Sequence, residues 1–227
     1  MRTKTLLIAA ATLAAGLSSS IAQVYSQNAV GYYNVTVSST GPAATSLSRY
    51  KIIANQLNKS DMTLNGVLGT NLPPGTLFYP FDPAIPGYGT TAELIDADAG
   101  WDPNYSLPLG KGGFVRNLAV ADMTITFVGE VPQGSITNTV WPSGYSIMGS
   151  AIPQGGAIQA ALGFPGNEAG GDFVQQWIPG TGYGTANEYL GGGAWDPNEP
   201  TVSVGEGFFV RRLTAGGTNW VRNFTVN

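Results

Sequence analysis

Gly110-Lys111-Gly112-Gly113-Phe114-Val115-Arg116 and Gly205-Glu206-Gly207-Phe208-Phe209-Val210-Arg211 are two versions of one segment, 95 residues apart. Each places a glycine turn before a short apolar run that ends on arginine, the pattern of a β-strand entered from a tight turn. Working outward, Trp101-Asp102-Pro103-Asn104 recurs as Trp195-Asp196-Pro197-Asn198, and Gly87-Tyr88-Gly89-Thr90 as Gly182-Tyr183-Gly184-Thr185. Tyr50-Lys51-Ile52-Ile53 lines up with Tyr145-Ser146-Ile147-Met148. Matches in the same order and register predict a duplicated unit the size of a small domain. Val30-Gly31-Tyr32-Tyr33 opens the first copy and Val128-Gly129-Glu130-Val131 resembles that opening, so Thr124–Val131 is read as one strand that ends the first unit and starts the second, with Pro132-Gln133-Gly134 as the turn or hinge. The expected units are 23–131 and 132–227.

The texture within a unit is β. Tyr32–Val37, Tyr50–Leu57, Thr76–Phe81, Gly113–Asn117 and Met123–Val128 are short runs of β-branched and aromatic residues punctuated by Gly, Pro, Asn and Asp. Met123-Thr124-Ile125-Thr126-Phe127 alternates cleanly, so one of its faces is expected to be wet. Asp61–Leu68 and Gly156–Leu162 read as one short helix per unit. The expectation is an all-β chain of two tandem homologous β units, arranged as small sandwiches or as one pseudo-twofold barrel.

The N-terminus pairs Arg2 and Lys4 with an apolar run from Leu6 to Leu17 and small residues up to Ala22. That is the form of a secretory signal peptide, residues 1–22, cut before Gln23. The apolar run is too short to span a bilayer, which takes about 20 residues, and no later stretch qualifies. The expected address is secreted, periplasmic or cell-surface. Losing Arg2 and Lys4 makes the net charge of −4 more negative by two. A mildly acidic chain is a poor partner for nucleic acid or anionic lipid, which are held by basic patches.

The Val30-Gly31-Tyr32-Tyr33-Asn34-Val35 opening, the Ile53–Leu57 segment and the Gly205–Arg211 strand together resemble duplicated secreted proteins abundant in Verrucomicrobia-type bacteria, a family without an assigned activity. The resemblance spans the chain after residue 22. It implies a bacterial exported protein and carries over no catalytic residue. The chain departs from it where Gly113 stands opposite Phe208 of the second copy, and where Gly191-Gly192-Gly193 replaces the acidic Asp96-Ala97-Asp98.

Composition narrows the chemistry. There is no cysteine and no histidine, so a disulfide, a thiolate metal site, a Cys nucleophile and a His general base are all excluded. Charged residues are 11% of the chain, against roughly 25% in ordinary domains. Paired carboxylates could still hydrolyse a glycoside, with Asp102, Asp196 and Glu206 as the acids to consider. Catalytic pairs need unlike environments, whereas Asp102 and Asp196 stand in duplicated ones, and Glu206 is matched by Lys111. No catalytic residue is therefore assigned. Asp96, Asp98 and Asp102 lack the glycine and terminal glutamate of a calcium loop, so neither a metal nor another cofactor is expected.

The expected role is non-catalytic: adhesion, surface assembly or contact with a glycan or other cell-surface component. A carboxylate glycan hydrolase and a subunit self-associating through the Gln23–Val37 edge strand are the alternatives. Tyr88 and Tyr183, each between two glycines, are the candidate ligand contacts, with Trp101 and Trp195 as further stacking candidates. Asp102 is expected to pair with Arg116, and Asp196 with Arg211, locking each Trp loop onto its sheet.

Overall fold

The computed structural model describes residues 29–40, 46–85, 87–138, 143–213 and 219–226. The expected signal peptide, 1–22, lies outside them, as does the 23–28 part of the expected edge strand. Among the described residues no helix is long and apolar enough to cross a membrane.

The protein is all-β. The first half runs β1 (Val30–Val37), β2 (Tyr50–Ala54), a one-turn helix α1 (Leu64–Val67), β3 (Leu77–Asp82), β4 (Gly87–Tyr88), β5 (Ala92–Asp96), β6 (Gly100–Asp102), β7 (Gly112–Arg116) and β8 (Met123–Glu130). The second runs β9 (Gly134–Thr137), β10 (Gly144–Met148), β11 (Gly156–Ala157), β12 (Asp172–Ile178), β13 (Gly182–Gly191), β14 (Ala194–Asp196), β15 (Thr201–Val202), β16 (Phe208–Arg212) and β17 (Val221–Phe224). The main sheet of the first half has the order β2-β7-β3-β5-β6, and that of the second β10-β16-β12-β13-β14. These are the same order of corresponding strands. Each half adds a two-stranded ribbon, β1-β8 and β9-β17. The sheets stay open, so the barrel alternative is not formed.

Two further expectations are corrected. β8 pairs with β1 along its whole length, from Val37↔Met123 to Val30↔Glu130. Val128–Val131 therefore closes the first half, and the second opens at β9. Gly156–Leu162 makes no helix. Its few turn bonds, such as Ala161 N to Ala157 O at 3.0 Å, stop at Gly163, whose φ is +64°. A left-handed glycine ends a helix, and Pro165 follows closely.

The main sheets are buried on both faces, because alternate residues of β2 and β7 are apolar on either side. In the first sheet, Ile53, Val115 and Phe78 face a core completed by Val35, Ile125 and Phe127 of the ribbon and by Leu64 and Val67 of α1. In the second, Met148, Val174, Phe208 and Val210 face Ile158, Leu162, Phe164 and Trp220. The opposite faces meet each other. Ile52, Phe81 and Phe114 pack with Ile147, Trp177 and Phe209 in a third cluster that joins the halves.

The joint is reciprocal. Ala54 N donates to Gly205 O at 3.0 Å, and Gly149 N to Gly110 O at 3.0 Å. Ile53 bridges Glu206 while Lys111 bridges Met148. Each contact has its counterpart at the sequence offset of the repeat, which is the contact pattern of a two-fold interface. Gly110 and Gly205 have φ of +72° and +78°, so the glycines that open the Gly110–Arg116 and Gly205–Arg211 segments are the turns that present their carbonyls to the other half.

Candidate functional site

An open cavity of about 400 Å³ lies where the two main sheets meet, lined by Leu47, Tyr50, Tyr79, Tyr88, Phe114, Trp177 and Tyr183. Strand pairing builds it. Ile52, Phe114 and Tyr79 stand side by side across β2, β7 and β3, and Tyr50 and Arg116 occupy the next row. Trp177 enters from β12, its ring 4.9 Å from Phe114 and edge-on to it, and its Nε1 donates to Tyr50 O at 2.9 Å.

Tyr88 and Tyr183 come from opposite halves and meet at the rim, their hydroxyls 2.8 Å apart. They are 45% and 42% exposed. Tyr183 also packs edge-on against Trp177 at 5.2 Å, and Tyr88 against Phe81 at 5.5 Å. Burial pushes the Tyr88 phenol up, and its hydrogen bond to Tyr183 adds to the effect, so it stays neutral. The Tyr50 phenol is raised by burial and by Tyr79, with Arg116 opposing.

The other sequence candidates lie elsewhere. Trp101 is 3% exposed and turned into the first core, its Nε1 donating to Gly69 O at 3.0 Å. Trp195 is half-buried, with Nε1 on Gln159 Oε1 at 3.0 Å and its ring 5.2 Å from Tyr189. Trp101 is therefore closed to a ligand, whereas Trp195 lies outside the cleft and keeps part of its ring accessible. Asp96 Oδ1 accepts the backbone N–H groups of Asp98 at 2.9 Å and Ala99 at 2.7 Å, fastening its own hairpin. Glu206 holds Gln176 Nε2 at 2.8 Å and Ser203 N at 2.9 Å, so both of its oxygens are engaged.

The Asp102–Arg116 and Asp196–Arg211 pairs do not form. Among the described residues the single ion pair is Arg212–Asp172. Sheet order is the reason. β6 is three strands from β7, and β14 three from β16, a separation of about 14 Å at the usual strand spacing. The guanidiniums settle on rings across their own strand pairs. Arg116 lies 5.1 Å from the Tyr50 centroid, and Arg211 lies 5.9 Å from Tyr145 and 5.7 Å from Phe173. The two aspartates instead stand directly opposite glutamates, Glu93↔Asp102 and Glu188↔Asp196, on exposed positions. Like charges in that relation repel. Asp102→Asn is accordingly expected to change stability by less than about 0.5 kcal/mol, and in the stabilising direction. A urea titration checks this, and a loss above that margin would restore a pairing role for the carboxylate.

Leu47, Tyr50, Tyr79, Phe114 and Trp177 were not among the sequence candidates. The signal for them was present: Tyr50 recurs as Tyr145 and Phe114 as Phe209 beside segments apolar on both faces, a mark of a sheet covered twice. No family model, curated protein or solved structure matches the chain.

Proposed function

We propose that the chain is an exported, non-catalytic binding protein whose aromatic cleft receives a sugar ring of a glycan. The observation that carries this reading is the lining: six aromatic side chains and Leu47, with no charged side chain among them. Its volume falls in the range of roughly 300–1,000 Å³ usual for small-ligand sites. Ring faces suit the C–H faces of a neutral sugar. The paired phenols supply the polar part. Each hydroxyl has one donor and two acceptor positions, so the pair, sharing one bond, keeps one donor and three acceptors for a ligand's hydroxyls. The exposed, cross-strand carboxylates lie outside this cleft, which favours binding over hydrolysis.

The duplication belongs to the same reading. Matched strand order and reciprocal contacts support descent of the two halves from one unit that paired with itself, the cleft then arising at the joint. Export rests on the N-terminal pattern alone.

A glycan array on the chain lacking residues 1–22 tests the proposal. A bound glycan should lose affinity about tenfold or more, or roughly 1.4 kcal/mol, when Tyr88 and Tyr183 are both replaced by alanine. The variant should still melt cooperatively. Unchanged affinity would move the site away from the cleft. Light scattering on the same sample addresses self-association, which one feature favours: among the described residues β1 pairs with β8 alone, and Val30 and Tyr32 are exposed.

A further inference from the structure

We infer that Tyr88 and Tyr183 form an oxidative cross-linking site, at which a peroxide-driven one-electron oxidant joins the two rings and ties the halves covalently. The inference is independent of what the cleft binds. The phenols are 95 residues apart in sequence, yet their hydroxyls lie 2.8 Å apart. Both rings are open enough for an oxidant to reach, at 45% and 42% exposure. Phenoxyl coupling in free solution waits on the encounter of two radicals. Holding the partners together replaces that encounter with a step inside one molecule.

Sulfur side chains compete little for the oxidant, and the rival phenol is Tyr32, 76% exposed but, among the described residues, with no partner hydroxyl held against it in the way Tyr88 and Tyr183 hold each other. There is no cysteine, Met123 and Met148 are buried, and Met62 is half-buried. An electron hole formed first on Trp177 has Tyr183 as its neighbour, 5.2 Å away between ring centres.

The step balances. Each phenol gives up one electron and its hydroxyl proton. The two radicals combine at ring carbons adjacent to the oxygen-bearing carbons, forming one Cε–Cε bond. The hydrogens on those carbons pass to the oxygens as the rings regain aromaticity. The protein becomes lighter by two hydrogen atoms. One hydrogen peroxide takes the two electrons and two protons and becomes two waters.

Treating the dilute full-length protein with a heme peroxidase and hydrogen peroxide tests this. The expected product is a monomer lighter by two hydrogen atoms, with dityrosine fluorescence and a cross-linked peptide containing Tyr88 and Tyr183. Tyr88→Phe, which keeps the ring and removes the hydroxyl, should cut dityrosine yield at least tenfold, and Tyr183→Phe should do the same. The inference is overturned if the monomer keeps its mass. It is equally overturned if either Phe variant reacts as well as the parent, or if the product is an intermolecular dimer joined through an exposed tyrosine such as Tyr32.

Discussion

Asp172→Ala is expected to destabilise the protein by about 3–5 kcal/mol, the loss that follows when one member of a buried ion pair is removed. Asp172 is fully buried at the start of β12, and Arg212 is 4% exposed. Asp172 Oδ2 lies 3.3 Å from Arg212 Nε and accepts Asn167 N at 2.9 Å. Oδ1 accepts Leu213 N at 3.0 Å. Alanine would strip two backbone N–H groups of their acceptor and leave a guanidinium inside the protein with its charge uncompensated. Burial already pulls the arginine below its ordinary pKa, with Asp172 opposing. Against a usual total of about 5–15 kcal/mol, the loss would leave a marginal fold.

The first half shows how the same place can be filled without charge. The residue after Arg116 is Asn117, where the residue after Arg211 is Arg212. Asn117 Nδ2 donates to Val37 O at 3.1 Å and to Ala121 O at 2.9 Å. Pairing the strands by register puts Thr76 where the second half has Asp172. A double change, Asp172→Thr with Arg212→Asn, should therefore recover much of what Asp172→Ala loses. Denaturant titration of both variants measures the difference. Equal losses would mean that the carboxylate matters only as an acceptor for its backbone partners.

Gly207→Ala is the second large effect, about 1–3 kcal/mol, the usual cost of forcing extra atoms into a packed core. A Cβ on Gly207 would sit 2.6 Å from Ile53 O and 2.7 Å from Ile52 Cγ2. The first of these is backbone in the other half, so the joint itself would have to open. Gly207 N also donates to Ile52 O at 3.2 Å across that joint. Trp177 reports on the same contact, since its Nε1 is bonded to Tyr50 O. Equilibrium unfolding followed by tryptophan fluorescence should show the loss. Stability within about 0.5 kcal/mol of the parent, an ordinary surface effect, would refute the close approach.

The β class and its punctuation were legible from residue types alone, because turns demand Gly, Pro and Asx and strands favour branched and aromatic side chains. The repeat offset also sets Tyr88 and Tyr183 at corresponding points of the chain. Strand order was not legible. Asp102 and Arg116 lie in consecutive strands of the chain, and only the insertion of β7 between β2 and β3 shows that they occupy distant parts of one sheet. The cleft was half visible for a related reason. Phe114 and Tyr50 read as ordinary core residues until the second sheet is set against the first, since sequence periodicity tells that a face is covered but not by what.

Gly113 has a consequence for how the halves keep apart while they form. In the first sheet Phe78 stands opposite Val115, and in the second Val174 stands opposite Val210. A Cβ on Gly113 would lie 2.4 Å from Phe78 Cζ, while at the matching place the second half carries Phe208. One ring has thus moved from β7 to β3 on one side and stays on β16 on the other. Two look-alike sheets in one chain risk exchanging strands during folding. If β3 paired with β16, Phe78 and Phe208 would contend for the same space. If β12 paired with β7 in the same register, Val174 would stand opposite Val115 beside Gly113, and with neither residue supplying a ring the place would be left void. On packing grounds the displaced ring favours each strand in its own sheet over the corresponding sheet of the other half.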